Sequence, residues 1–164
     1  NFKDFNVEEA NQILNTNFSC VFKPFSLMIN YWIKNKSNFA KKSIHWVWIS
    51  SVAGYRGLPG AVAYGPSKAA MNNLAEASYI ELRSLGINIS LVCPGFVESR
   101  LTKKNNFKMP AIITPEVAAE NILTGLKDGK FEIHFPKRFT VWLKFFNFLP
   151  YWLYFKLTKL LQKN

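Results

Sequence analysis

The stretch Ile44-His45-Trp46-Val47-Trp48-Ile49-Ser50-Ser51 is an almost unbroken run of β-branched and aromatic residues that closes on two serines. A run this short, with side chains suited to a pleated surface, predicts a strand buried on both faces. Gly54, Gly57, Pro59 and Gly60 then break the pattern and mark a loop. From about Ala63 a helix runs to Leu85, with Gly86 placed as its C-terminal stop. Ile87 to Cys93 repeats the strand signal and ends at Pro94-Gly95.

Outward from this unit the rhythm continues. A polar, Lys-rich loop runs from Glu98 to about Ile113, and Thr114-Pro115-Glu116 is a helix start, with a capping hydroxyl, a proline at the first helical position and an acid in the first turn. That helix ends near Asp128-Gly129, and Phe131 to Phe135 is a third short strand. On the other side, apolar positions from Val7 to about Lys34 recur at helical spacing and predict one long helix, bent near Pro24. Lys34 to Lys42 reads as a solvated loop, and Asp4, Glu8 and Glu9 as helix-start acids. A helix followed by strand, helix, strand, helix, strand is the rhythm of an α/β fold with a parallel sheet. Residues 1–136 belong to it, and residues 137–164 form a helical, aromatic and basic tail divided by Pro150.

The chain has 164 residues, the size of one domain. Hydrophobic residues make up 49% and aromatic ones 16%, which excludes disorder for the chain as a whole. The net charge of +11 suits an acidic partner but does not name it. Cys20 and Cys93 suit buried, reduced thiols in a cytoplasmic protein better than a disulfide framework. Neither a long uncharged apolar run nor a signal-type segment is present in the sequence. His45 and His134 lie in strand-like runs without metal spacing, so no metal site is expected.

Tyr64 and Lys68 lie four apart on the second predicted helix, so their side chains share a face. An ammonium beside a phenol favours the phenolate, which makes Tyr64 a candidate general acid/base. Ser51 ends the preceding strand, where a parallel sheet presents its ligand side, and its hydroxyl can meet a developing negative charge. Spacing alone also fits an ordinary surface pair.

The surrounding residues decide between these. Ile49-Ser50-Ser51-Val52-Ala53-Gly54, then Gly57-Leu58-Pro59-Gly60, then Tyr64-Gly65-Pro66-Ser67-Lys68 with Ala69-Ala70, resembles the active-site segment of the classical short-chain dehydrogenases/reductases. Asn15-Thr16-Asn17-Phe18 resembles that family's asparagine helix, and Leu91-Val92-Cys93-Pro94-Gly95-Phe96-Val97-Glu98-Ser99 resembles its Pro-Gly segment. The resemblance spans roughly residues 8 to 136 and implies the C-terminal portion of a Rossmann-type, doubly wound parallel sheet.

What the resemblance implies is an oxidoreductase that interconverts an alcohol and a carbonyl by hydride transfer with NAD or NADP. Tyr64 would exchange the proton, Lys68 would assist it and bind the nicotinamide ribose, and Ser51 would position the substrate oxygen. Asn17 would help hold a water behind Lys68. Pro94, Gly95, Val97 and Ser99 would line the cofactor, with Ser99 standing where the family usually has threonine. Ala53 and Phe96 would face an apolar small-molecule substrate. Lys103, Lys104 and Lys108 fall in the loop that would close over it, as a solvated lid. A homo-oligomer is the family's habit, through the helices carrying Asn17 and Tyr64.

One departure is large. No glycine-rich turn to cradle a pyrophosphate precedes Asn17, and the sequence opens on Asn1. The expectation is therefore an N-terminally truncated portion of a longer protein, inactive alone, with a naturally short form as the alternative. The tail interleaves Trp142, Phe145, Phe148, Tyr151, Trp152 and Phe155 with Lys144, Lys156, Lys159 and Lys163. It fits an interfacial membrane contact through 140–164 or a substrate lid, and equally a packing surface against the body or a second subunit. The aromatic positions are too crowded for stacking on bases, so no nucleic acid is expected. A non-catalytic binding or membrane-surface protein built on the same fold is the alternative to the enzyme.

Overall fold

The computed structural model describes residues 2–35, 44–100, 102–104 and 109–162. Most of the expected loop between Lys34 and Lys42 lies outside these residues, as do Lys108 and Lys163. The elements in chain order are α1 (Val7–Asn17), α2 (Phe22–Lys34), β1 (Ile44–Ile49), α3 (Tyr64–Leu82), β2 (Ile87–Pro94) and α4 (Pro115–Lys127). They are followed by β3 (Glu132–Phe135), α5 (Lys137–Asn147) and α6 (Tyr151–Gln162).

The strands pair in the order β1-β2-β3, both pairs parallel. Ile44 faces Ile87 and Ile49 faces Val92 across the first pair, while Leu91 faces Glu132 and Pro94 faces Phe135 across the second. The α/β class with a parallel sheet is the one expected. Central β2 explains the layering, because successive side chains point to opposite faces. Ile87, Ile89, Leu91 and Cys93 pack with Trp48 of β1, Met71, Ala75 and Leu82 of α3, and Phe25 of α2. Val92 joins Ile133 and Phe135 of β3 and Ala118 of α4 in a second cluster, with Val47 beside them. Each Val, Leu, Ile, Phe or Met among them contributes roughly 1.5–3 kcal/mol when fully buried. Helices thus cover both faces, and the strands' C-terminal ends at Ile49, Pro94 and Phe135 share one edge.

Two expectations about burial and helix length are corrected. β1 is only partly covered: it is the edge strand among those described, and Ile49 is 50% exposed. The long N-terminal helix is two helices, with a 3-10 turn at Ser19–Val21 between them. The break falls before Pro24 because that ring has no N–H and would clash with the carbonyl four residues back; in the first turn of α2 neither matters. Cys20, expected to be buried, is exposed on that break, whereas Cys93 is buried in β2.

Helix ends follow the sequence signals. Thr114 caps α4 through its side chain, which accepts from the Val117 N–H, and Asn6 does the same for α1 with Glu9. Gly86 stops α3 and its trailing 3-10 turn with φ 80° and ψ 20°, a left-handed conformation that favours glycine. Pro150 separates α5 from α6 as expected.

Candidate active site

The site is built at the C-terminal end of β1. Ser50 and Ser51 follow the strand directly, and the chain then turns through a 3-10 segment at Val52–Gly54 onto the start of α3. The Ser50 hydroxyl lies 2.5 Å from the Asn72 amide oxygen and 3.1 Å from the Lys68 carbonyl oxygen, serving both with one proton. Ser51 caps the turn by accepting from the Ala53 N–H at 3.2 Å, and its hydroxyl reaches the Pro94 carbonyl at 3.5 Å. β1, β2 and α3 therefore meet around two serines.

Tyr64 is the first residue of α3, and 41% exposed. The Lys68 ammonium sits 5.7 Å from the Tyr64 ring centroid and donates to the Ile49 carbonyl at 3.1 Å, tying α3 to the end of β1. Burial holds this ammonium below the usual lysine range. An ammonium has three protons, so one bond to Ile49 leaves two for other acceptors.

Asn17 ends α1 and donates to the Ser67 hydroxyl at 3.3 Å, and Ser67 in turn donates to the Tyr64 carbonyl at 2.7 Å. Asn17 is thus joined to the first turn of α3 one residue before Lys68. Pro94 and Gly95 lie at the end of β2, where the Gly95 N–H bonds the Phe135 carbonyl at 2.8 Å. A Cβ on Gly95 would sit 3.1 Å from the Phe139 ring and 3.3 Å from that carbonyl, a tight fit against β3 and α5. The Phe96 ring stands 5.7 Å from that of Phe139. Val97 forms a bridge with Ile113. The exposed Ser99 hydroxyl accepts from the Thr102 N–H at 3.1 Å, at the start of a 3-10 turn. Ser51, Tyr64, Lys68, Pro94 and, through Ser67, Asn17 are therefore linked in one region, while Ser99 lies further along a loop.

Several residues around the site carry no short-range sequence signal. Behind Ser51, Tyr55 donates to Glu132 at 2.5 Å, and Glu132 pairs with Lys144. Burial pushes the Tyr55 hydroxyl far up. Burial also pushes the Cys93 thiol up to about 12, against a lowering hydrogen bond from Tyr55. Burial alone would raise the Glu132 carboxyl, but Lys144 and Tyr55 outweigh it and hold it below the usual carboxylate range. Asn72 lies one turn beyond Lys68 and was findable by helical spacing; the Tyr55–Glu132 pair was not. His134 bonds Thr140 at 2.6 Å and His45 bonds Ser90 at 2.8 Å. No cluster able to hold a metal occurs among the described residues.

The chain is similar in sequence and in fold to known proteins. The family profile described as short chain dehydrogenase matches residues 1–110. An uncharacterized oxidoreductase of Myxococcus xanthus is 33% identical over 143 residues, covering 87% of this chain and 54% of that protein. The 3-oxoacyl-(acyl-carrier-protein) reductase of Thermotoga maritima is 32% identical over 124 residues, covering 76% of this chain and 44% of the relative. The chain thus spans about half the length of the curated relatives it matches. Among solved structures, a short-chain dehydrogenase from Sphingobium yanoikuyae in complex with NADPH superposes with a TM-score of 0.70 at 16% identity, over 80% of this chain and 50% of that one, a likeness of fold.

Proposed function

Because the chain belongs to the short-chain dehydrogenase family, we propose that it carries the proton-transfer side of an NAD- or NADP-dependent interconversion of an alcohol and a carbonyl, with Tyr64 as general acid/base. The observation that carries this reading is the position of Lys68, between the Tyr64 ring and the end of β1, with Ser51 two residues past its acceptor Ile49. Residues 1–136 are the catalytic portion and 137–164 a helical extension.

The donor set suits the nicotinamide end of such a cofactor. Tyr64 is 41% exposed and Lys68 has two ammonium protons left for other acceptors, with the Pro94-Gly95 turn beside Ser51. Tyr64, Lys68, Pro94, Gly95, Val97 and Ser99 would hold it, and when bound it supplies or accepts a hydride. Tyr64 gives its proton to the substrate oxygen in reduction and takes it back in oxidation. Ser51 turns its hydroxyl from the long contact with the Pro94 carbonyl to the same oxygen, stabilising the charge that develops there. Lys68, kept partly dry, presents an ammonium that favours the phenolate. Asn17 acts through Ser67, fixing the turn that bears Tyr64.

An apolar substrate is supported by Phe96 and Ala53 beside this region and by the acyl substrate named for the Thermotoga relative. Exposed Leu27, Tyr31 and Ile80 on α2 and α3 support assembly as a homo-oligomer. Tyr64→Phe in the full-length protein tests the central assignment: turnover of an NADH- or NADPH-coupled ketone is expected to vanish while cofactor affinity stays within a few fold. Near-normal turnover would remove Tyr64 from its role.

A further inference from the structure

The outer side of the C-terminal helices has a pattern that the site chemistry does not use. On α5, Val141, Trp142 and Phe145 are exposed at i, i+1 and i+4, and Phe148 continues the stripe past the helix end. On α6, Trp152, Phe155 and Leu160 are exposed, with Lys156 and Lys159 exposed among them. Trp142 and Trp152 are 66% and 69% open and Phe148 is 84% open, large aromatic side chains left uncovered on neighbouring helices.

This face is held in place from behind. Thr140 and Tyr154 are buried, and Phe139 and Leu143 join the main core. Arg56, from the loop between Ser51 and Tyr64, donates to the Phe146 carbonyl and, at 2.8 Å, to that of Leu149. Its guanidinium lies 4.0 Å from the Tyr154 ring centroid and 4.9 Å from that of Tyr151. The Tyr154 hydroxyl donates to the Gly57 carbonyl. The corner at Pro150 is therefore fixed, and the aromatic side chains beyond it are presented outward.

Charge selects the occupant. Residues 137–164 contain Lys137, Arg138, Lys144, Lys156, Lys159 and Lys163 and no acidic residue. Lys144 is paired with Glu132, but a second copy docking through the same face would bring Lys156 and Lys159 against lysines of its own, with no acidic residue in 137–164 to meet them. An anionic lipid surface offers negative charge above an apolar layer, and lysine stems can lie along apolar surface with the ammonium at the phosphates. Spanning is excluded for these elements: α6 is about 18 Å long against a hydrocarbon layer of about 30 Å. No helix among the described residues is long and apolar enough to cross a membrane. We infer that α5 and α6 dock flat on an anionic bilayer surface, with Trp142, Phe145, Phe148 and Trp152 entering the boundary between headgroups and acyl chains and Lys156 and Lys159 at the phosphates. The inference is independent of the hydride chemistry.

Sedimentation with phosphatidylglycerol vesicles tests it, with phosphatidylcholine vesicles as the neutral control. Partitioning is expected to be at least about tenfold tighter to the anionic vesicles, and Lys156→Gln with Lys159→Gln is expected to weaken it by roughly tenfold or more. Trp142→Ser with Trp152→Ser should abolish it without changing the circular dichroism spectrum, since both side chains are exposed. Brominated acyl chains should quench tryptophan emission in the wild type far more than in that double variant. Absence of anionic partitioning, or partitioning indifferent to lipid charge, would overturn the inference. So would a dimer, seen by light scattering, that the tryptophan substitutions dissociate, because the face would then belong to a second copy.

Discussion

Gly54→Ala is the sharpest probe of how the site is assembled. A Cβ at Gly54 would stand 2.7 Å from the Lys68 carbonyl carbon and oxygen and 2.8 Å from the Asn72 amide nitrogen, where ordinary contact begins at 3.4 Å. The turn at Val52–Gly54 or the α3 backbone must therefore give by about 0.7 Å, the difference between 3.4 and 2.7 Å. α3 resists, because Ser67, Met71 and Asn72 are buried on that side, so the turn moves. It carries the Ser51 cap and strains the Ser50 contacts with Lys68 and Asn72. Overpacking plus weakened hydrogen bonds predicts a loss of about 2–4 kcal/mol. Displacement of Ser51 by up to that distance predicts a fall in turnover of the full-length protein by roughly tenfold, short of the roughly hundredfold of a full ångström. Gly57→Ala in the same loop is the control: nothing lies within 4 Å of its Cβ and its φ is not positive, so it should be neutral or stabilise by about 0.4–1 kcal/mol. Urea unfolding followed by circular dichroism separates the two as a lower midpoint at unchanged slope for Gly54→Ala alone. Equal midpoints for the two variants would refute the close packing of the serine turn on α3.

The two cysteines should differ in reactivity. The nucleophile is the thiolate, so with Cys93 buried and pushed up to about 12 and Cys20 exposed, iodoacetamide at pH 8 should add once to the native chain and twice in urea; equal native labelling of both would refute this. Glu132→Gln keeps an acceptor for Tyr55 but loses the pairing with Lys144, and should destabilise by about 1–3 kcal/mol at pH 7. The carboxyl is held below its ordinary value in the folded chain. Its contribution is therefore fully present above ~4.3, the unfolded value, and is lost as pH falls through the folded one. The gap between wild type and variant should close on acidification; a gap unchanged at pH 3 would count against the pairing.

The sheet was legible because its signals are local. Apolar runs at 44–49 and 87–93 became β1 and β2 within a residue, and the Thr114-Pro115 start and Gly86 stop fell where caps require them. That Tyr64, Lys68 and Ser51 lie near one another was legible from helical spacing and from a parallel sheet that puts the end of β1 beside α3, while their candidacy as a site came from the family resemblance. Burial was read less well. An apolar run does not say which strand lies at the edge, so β1 was expected to be as covered as β2. The N-terminal helix failed for another reason: its 3.6-residue periodicity continues across Ser19–Val21, while the backbone demand of Pro24 acts locally and resets the helix start.

What no spacing rule could reach is the attachment of the last third of the chain to the loop between Ser51 and Tyr64. Tyr55 meets Glu132 across 77 residues, Arg56 meets the end of α5 across 90 and 93, and Gly57 meets Tyr154 across 97. These three consecutive residues lie between Ser51 and Tyr64, and each is bound to a different part of the last third of the chain. The sequence presents them as a glycine-punctuated loop, and its flanks Gly54 and Gly57 read alike. In the fold their roles diverge: Gly54 is pressed against α3, while Gly57 offers its carbonyl to α6. The loop is thus clamped from two sides by elements that do not touch substrate in the proposed reaction. A displacement of α5 or α6 must either break the Arg56 and Tyr154 bonds or pull on the segment that holds Ser51, which is why the tail belongs to the physics of the site although its composition sets it apart.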